Sequence, residues 1–250
     1  MKVLFLGTTG YHPNESRQTA CFMVPELGLM LDAGTGIFRA RNYLQTECLE
    51  IFLSHIHLDH CVGLTFLFDV LRDTNTRQVR VYAESQKLQA LDEHLFDSSL
   101  FPVKPPCEFV PLEGGSTSLI SGGKIQWFPL KHPGDSLGYV VEHKGKRLAY
   151  VTDTTASVSA DYIEQIRGVD LLIHECYFPD GEEELAELTG HSCATPVAQV
   201  AAAAEVGQLV LVHMNPMDET GERLHCDAMK KIFPEITLAY DGMVLDLGGQ

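Results

Sequence analysis

The sequence predicts an α/β protein in which two mixed β-sheets carry helices on their outer faces. Strand-like and helix-like patterns alternate along all 250 residues. Some strand candidates follow one another through short turns, whereas others are separated by helices, and this combination is typical of mixed sheets. Since no Pro/Gly/Ser-rich linker interrupts the pattern and hydrophobic residues make up 45% of the chain, we expect a single domain over residues 1–250.

Short apolar or alternating runs bounded by turn residues predict strands at 2–6, 19–24, 28–31, 49–53, 79–82, 125–130, 137–142, 147–152, 170–173, 208–212, 236–239 and 243–246. Helical spacing predicts helices at 36–44, 61–72, 85–95, 160–168, 182–188, 196–205 and 222–233. The best-marked helix has Thr195 as N-cap, Pro196 at its first position and Gly207 as stop. Turn residues at 143–146 and 241–242 predict hairpins.

The charge balance argues against extended nucleic acid as a partner. The chain carries 18 basic and 34 acidic residues, a net charge of −16, whereas a protein that grips a polyanion needs Lys and Arg at the phosphates. No apolar run is long enough to span a membrane, and no export signal precedes the first strand, so the cytoplasm is the expected location. Seven cysteines without a CxxC pair fit reduced thiols.

The most informative motif is the hexad His55-Ile56-His57-Leu58-Asp59-His60. It follows an apolar strand candidate and precedes an apolar helix candidate, so it occupies a loop of the kind that presents side chains to a cleft. Three imidazoles and a carboxylate in six residues are ligands that zinc accepts. One tetrahedral ion rarely takes four ligands from so short a run, so two ions are the easier geometry.

Three later residues each follow a predicted strand: His132, Asp153 and His213. Ligand sites in sheet-based folds collect at strand ends. Each position alone is weak evidence for a metal site, because polar residues often end strands without having a function. Behind the hexad, the three together favour a common metal site.

The ordered set of hexad, His, Asp and His resembles the metallo-β-lactamase fold superfamily, and Asp32-Ala33-Gly34 resembles its early Asp-x-Gly turn. The resemblance implies a four-layer αββα sandwich with a two-metal site at one edge, zinc by default and Mn or Fe as alternatives. It assigns one ion to His55, His57 and His132, the second to Asp59, His60 and His213, and makes Asp153 the bridge. Asp32 would hydrogen-bond a ligand imidazole.

A finer resemblance is to the ribonuclease Z-like and phosphodiesterase branch. It rests on the opening segment 5–10 with Arg17-Gln18-Thr19, Gly138-Tyr139, the segment 150–154, the segment 174–178 and Gly190-His191-Ser192. In that branch an additional His contacts the scissile phosphate and a Glu orients it, which implies these catalytic roles for His191 and Glu175. The branch's long basic tRNA-binding arm between the third His and the bridging Asp has no counterpart, because only two short strands separate His132 from Asp153.

We therefore expect a dinuclear metal-dependent hydrolase that acts on a small phosphodiester, a cyclic nucleotide or similar, through a hydroxide between the ions. Asp59 would also accept a proton from that water. The alternative is a lactonase or thioesterase on the same metals, which would not need His191. A ribonuclease Z-type endoribonuclease and a metal-binding protein without turnover rank lower, and a homodimer is left open.

Overall fold

The computed structural model describes residues 1–248 and arranges their strands in two seven-stranded sheets. The strands are β1 Lys2–Gly7, β2 Cys21–Val24, β3 Leu29–Leu31, β4 Cys48–Phe52, β5 Gln78–Ala83, β6 Glu108–Pro111, β7 Ser116–Ser118, β8 Lys124–Leu130, β9 Ser136–His143, β10 Lys146–Val151, β11 Leu171–Glu175, β12 Leu209–Val212, β13 Ile236–Leu238 and β14 Val244–Asp246. The first sheet has the order β14-β1-β2-β3-β4-β5-β6, and the second has the order β13-β12-β11-β10-β9-β8-β7.

Both sheets are mixed. In the first, β14, β1, β2 and β3 pair antiparallel, and β3 to β6 pair parallel. In the second, β7 to β10 pair antiparallel, and β10 to β13 pair parallel. The strands β10, β11 and β12 therefore end at the same edge, and β8 ends there too because it and β10 both run antiparallel to β9.

The helices are short. The α-helices are α1 Leu58–Cys61, α2 Leu67–Val70, α3 Ser85–Ala90, α4 Ile163–Ile166, α5 Glu183–Thr189, α6 Ala194–Ala203 and α7 Cys226–Met229. The 3₁₀ helices are Pro25–Leu27, Thr35–Asn42, Val62–Phe66 and Glu222–Leu224, and a π-helical turn covers Leu91–Leu95. Within residues 1–248, none of these helices has the length and hydropathy of a membrane span.

Three buried clusters define the layers. The central cluster takes side chains from both sheets, including Phe5, Phe22, Tyr139 and Tyr150. The other two lie on the outer faces, one between the second sheet and α6 and one between the first sheet and the helices of residues 35–71. The order helices, sheet, sheet, helices confirms the predicted αββα sandwich.

All twelve predicted strands are present, but the sequence missed β6 and β7. These are the edge strands of the two sheets, at the ends away from β14 and β13. Their residues are exposed or half-buried throughout. An edge strand without a buried face leaves no alternating apolar pattern, so its sequence does not distinguish it from a loop.

Several helix predictions were wrong in detail. The predicted helix 61–72 is broken into α1, the 3₁₀ segment Val62–Phe66 and α2, and the predicted helix 36–44 is 3₁₀. These two 3₁₀ segments pack very closely, because a Cβ on Gly63 would lie 2.2 Å from the carbonyl oxygen of Gly34. Helices 85–95, 160–168 and 222–233 are likewise shorter or interrupted. The tertiary packing outweighs helix propensity in these places.

The predicted cap and one predicted hairpin also need correction. Helix α6 starts at Ala194, so Thr195 lies inside it, and both the N–H and the hydroxyl of Thr195 donate to the carboxylate of Asp180. The turn at 143–146 does join the hairpin β9–β10. The turn at 241–242 instead connects β13 in one sheet to β14 in the other.

Candidate metal centre

The seven predicted ligand residues meet at one edge of the sandwich. The hexad follows β4 of the first sheet, while His132, Asp153 and His213 follow β8, β10 and β12 of the second. The common edge at which these three strands of the second sheet end brings residues far apart in sequence within contact. Their ligand atoms fall into two adjoining groups.

The first group contains His55, His57, His132 and Asp153, each with a ligand atom within 4.8 Å of the others. Nε2 of His132 lies 3.4 Å from Nδ1 of His57 and 3.6 Å from Oδ2 of Asp153. Nε2 of His55 lies 3.5 Å from the same carboxylate oxygen. These spacings leave a position that three nitrogens and one oxygen surround.

The second group contains Asp59, His60 and His213. The Nε2 atoms of His60 and His213 are 3.1 Å apart, and they lie 3.3 and 3.2 Å from Oδ2 of Asp59. Both nitrogens are also 3.3 Å from Oδ1 of Asp153. Asp153 thus presents one carboxylate oxygen to each group, the geometry expected of a bridging residue.

The donor atoms fit divalent cations. His60 donates from Nδ1 to Asp32, and His132 donates from Nδ1 to the carbonyl of Gly190. Nδ1 of His55 lies 3.0 Å from the hydroxyl of Ser54, and this hydroxyl donates to Asp32. In the neutral form with Nδ1 protonated, which metal binding requires, each of these rings presents a lone pair on Nε2 to the groups. The buried Nε2 of His55 has no hydrogen-bond partner among the described residues. A divalent cation between them would satisfy lone pairs that converge in this way.

The electrostatics agree with this chemistry at three of the imidazoles, whereas at His60 the neighbouring carboxylates, Asp153 first, outweigh burial and raise the pKa. Burial lowers the pKa of His55, His57 and His132, which favours the neutral, metal-binding form. Burial alone would raise the pKa of Asp153, but the surrounding imidazoles, His213 first, hold it well below its usual range. The carboxylate is therefore ionised, as a bridging ligand has to be.

Strained backbone accompanies the cluster. Asp32, Asp153 and His213 have φ values of 58°, 33° and 52°, in the left-handed region that favours glycine. Gly10 packs on His213 so closely that a Cβ there would lie 2.2 Å from the imidazole. Such strain persists where the surrounding structure fixes a functional geometry.

His191 lies beside both groups. Its ring centroid is 5.2 Å from those of His132 and His213, and Nδ1 donates to Oε1 of Glu175 at 3.3 Å. Burial opposes protonation of this ring, but the charge and the hydrogen bond of Glu175 outweigh it and raise the pKa of His191 to about 9. Tyr177 stacks on the ring at a centroid distance of 5.0 Å. The structure thus brings the two further predicted residues, His191 and Glu175, to the site as a charged, oriented pair.

A cleft of about 220 Å³ opens onto this edge. Its lining contains His57, Asp59, Asp153, His191 and His213. It also contains Tyr11, Tyr177, Phe178 and Thr189, which sequence reasoning did not single out as site residues. Tyr11 comes four residues after the end of β1, and this position shortly after a predicted strand is the signal that could have drawn attention to it.

The fold and the His/Asp cluster define a metallo-β-lactamase superfamily hydrolase with a divalent-metal site. The family model described as the β-lactamase superfamily domain matches residues 29–214, more than half of the chain, and the chain belongs to this family. The roles of individual residues as ligands or catalysts remain predictions.

Known proteins resemble the chain over its whole length. Ribonuclease Z from Prochlorococcus marinus strain NATL1A is 27% identical over 315 aligned positions, which cover 99% of each chain. Because this chain has 250 residues, at least 65 of those positions have no counterpart in it. Among solved structures, the metallo-β-lactamase fold protein YhfI from Bacillus subtilis has a TM-score of 0.80 at 20% identity and covers 98% of this chain and 99% of its own. Human tRNase Z, short form, has a TM-score of 0.76 at 22% identity and covers 99% of both.

Proposed function

We propose that this hydrolase is a phosphodiesterase that cleaves a small phosphodiester, a cyclic nucleotide or a similar compound. In this proposal, two divalent cations, zinc by default, are held by His55, His57, Asp59, His60, His132, Asp153 and His213. Several relatives aligned along nearly the entire chain are named ribonuclease Z, and a ribonuclease cuts phosphodiester bonds. That kinship supports phosphorus rather than carbon as the centre attacked.

The observation that carries the proposal is the pair of His191 and Glu175 at the rim of the cleft. A protonated imidazole between two metal-binding groups suits an anionic phosphoryl centre, whose oxygens it can stabilise by hydrogen bonding. The same ring can protonate the departing alkoxide. A lactone or thioester is neutral in its ground state, so such a cation would assist only the oxyanion of its tetrahedral intermediate.

The residues around the cleft have different roles in the proposed reaction. Bound divalent cations supply charge neutralisation and lower the pKa of a water molecule. Asp59 would accept a proton from a water molecule in the cleft, and the N–H of Tyr11, which donates to Oδ2 of Asp59 at 2.8 Å, holds this carboxylate in place. Glu175 keeps His191 protonated on Nδ1 and directs the opposite edge of the ring to the cleft.

Size and charge favour a small substrate over tRNA. The stretch between His132 and Asp153 contains little more than the hairpin β9–β10, which turns at Lys144 and Gly145. No Lys or Arg is among the described residues that line the cleft. A chain with a net charge of −16 has few positive side chains with which to bind the flanking phosphates of a polynucleotide.

The test is a substrate panel with metal-loaded protein: bis(p-nitrophenyl) phosphate, 2′,3′- and 3′,5′-cyclic AMP, a pre-tRNA, an aliphatic lactone and a thioester. We expect turnover of the diesters, abolished by chelation. His191→Ala should keep both metals and lose about 10²–10⁴-fold in kcat. His94→Ala, a change at an exposed histidine, is the matched control. Hydrolysis of the lactone or thioester without the diesters would refute the proposal in favour of a carboxylic ester hydrolase.

A further inference from the structure

We infer that Tyr11 is a specificity-determining residue that packs against an aromatic substituent, such as a nucleobase, on the side of the diester that is not the leaving group. This inference rests on the proposed phosphodiesterase function and specifies its substrate class. It follows from the conformation, the anchoring and the surroundings of this one side chain.

The conformation of Tyr11 is unfavourable for a tyrosine. Its φ is 61°, in the left-handed region. Gly10, directly before it, could have adopted a positive φ at lower cost. The side chain is nevertheless 72% exposed and lines the cleft. A large aromatic ring that is kept in a strained position and left in solvent contributes little to the core. Strain of this kind clusters at ligand-binding positions.

The backbone beneath Tyr11 is firmly anchored to the metal centre. Its N–H donates to Asp59, and the N–H of Gly10 donates to the carbonyl of Met214, next to His213, at 3.0 Å. The hydroxyl of Thr9 donates to the same carbonyl at 2.8 Å. His12 meets the Tyr11 ring edge-on, with centroids 5.0 Å apart. The backbone of Tyr11 is therefore fixed next to Asp59 and His213, and its side chain lines the cleft.

The chemistry of the cleft defines what Tyr11 can contact. The two metal-binding groups and His191 can neutralise the charge of one phosphate. The remaining lining residues, Tyr177, Phe178 and Thr189, are uncharged and cannot neutralise another. A second phosphate would meet no Lys or Arg among the described lining residues. An uncharged aromatic group next to the single phosphate fits, since a base can stack on an exposed ring irrespective of its sequence identity.

The position of His191 assigns the side. His191 would protonate the leaving oxygen and is held by Glu175 at the end of β11 in the second sheet, whereas Tyr11 follows β1 of the first sheet and its backbone N–H donates to Asp59. The two residues thus reach the cleft from different sheets of the sandwich. The group that departs goes to His191, and the group that stays on phosphorus goes to Tyr11.

Two substrates with the same leaving group isolate this contact: thymidine 5′-(p-nitrophenyl) phosphate and methyl p-nitrophenyl phosphate. Tyr11→Ala should lower the ratio of their kcat/KM values, nucleoside over methyl, by about 5- to 100-fold. Tyr11→Phe should keep the ratio, and so should Phe68→Ala, a change at an exposed aromatic residue of α2. Calorimetry should show a matching loss in the affinity of Tyr11→Ala for thymidine 5′-monophosphate.

An unchanged ratio in Tyr11→Ala overturns the inference while leaving the proposed function intact. An equal loss in Tyr11→Phe also overturns it, because the hydroxyl rather than the ring would then be responsible. If the wild-type protein hydrolyses neither diester, the proposed function fails, and the inference fails with it.

Discussion

His60 donates from Nδ1 to Oδ2 of Asp32 at 2.7 Å, and both side chains are fully buried. Asp32 accepts three more hydrogen bonds, from the N–H and the hydroxyl of Ser54 and from the hydroxyl of Tyr150. Four donors around one carboxylate fix the tautomer and the direction of His60. Asp32 is the residue expected from sequence to orient a ligand imidazole, and it makes that hydrogen bond.

Asp32→Asn should weaken metal binding without removing a ligand. An amide cannot accept all four hydrogen bonds, so His60 loses its fixed tautomer, and changes of this type cost about 10- to 100-fold in metal affinity. Competition with a chromogenic chelator measures the affinity. Asp73→Asn, at an exposed residue, serves as control, and unaltered affinity in Asp32→Asn would show that this hydrogen bond does not orient a ligand.

Asp153→Ala should impair metal binding more than any change outside the seven ligand residues. Its two oxygens face the two groups, so its loss removes a ligand from both and leaves two cations facing each other without an anion between them. Elemental analysis after gel filtration should show loss of both ions, with Asp161→Ala as the surface control. A variant that retains two ions at full activity would exclude a bridging role.

Glu175→Gln should reduce turnover of diesters, but by less than His191→Ala, because Glu175 acts through His191. The defect should be larger for a poor alkoxide leaving group than for p-nitrophenolate, since an activated leaving group needs little protonation. A series of leaving groups assayed with wild type and variant measures this slope. Equal defects across the series would leave His191 a role at the phosphate oxygens only.

Arg17→Met should destabilise the fold near the cleft. Arg17 is 7% exposed, and Nη1 donates to the hydroxyl of Thr8 and to the carbonyl of Ala239. Leaving these partners unsatisfied should lower the free energy of unfolding by about 1–3 kcal/mol, as measured by urea denaturation. Arg72→Met, at an exposed ion pair with Asp69, should change it by less than about 0.5 kcal/mol. Equal effects of the two substitutions would contradict this account.

The candidate site could be predicted from sequence because its residues follow strands. His132, Asp153 and His213 each end a strand that sequence patterns identify, and a common sheet edge brings strand ends together. Asp241 could not be found in this way. Its carboxylate accepts from Thr8, from the N–H of Gln18 and from Arg39, all more than 200 positions away. Such a network depends on packing that no local pattern encodes.

Tyr11 illustrates the same limit for the cleft. Its place shortly after β1 is the only signal in the local sequence, and its relation to Asp59 arises only when β1 and β4 lie in one sheet. The helices of residues 35–71 were mispredicted for a related reason. The 3₁₀ geometry of Thr35–Asn42 and Val62–Phe66 accompanies close contact at Gly63, which the local sequence does not reveal.

The distribution of the ligand residues over the two sheets has a thermodynamic consequence. Those of the hexad follow a strand of the first sheet, and the remaining three follow strands of the second. Cations bound by all seven would cross-link the halves of the sandwich at one edge, so binding energy would add to folding energy by mass action, about 2.7 kcal/mol at a free metal concentration 100 times Kd. The thermal resistance of this chain would then vary with the supply of metal around it.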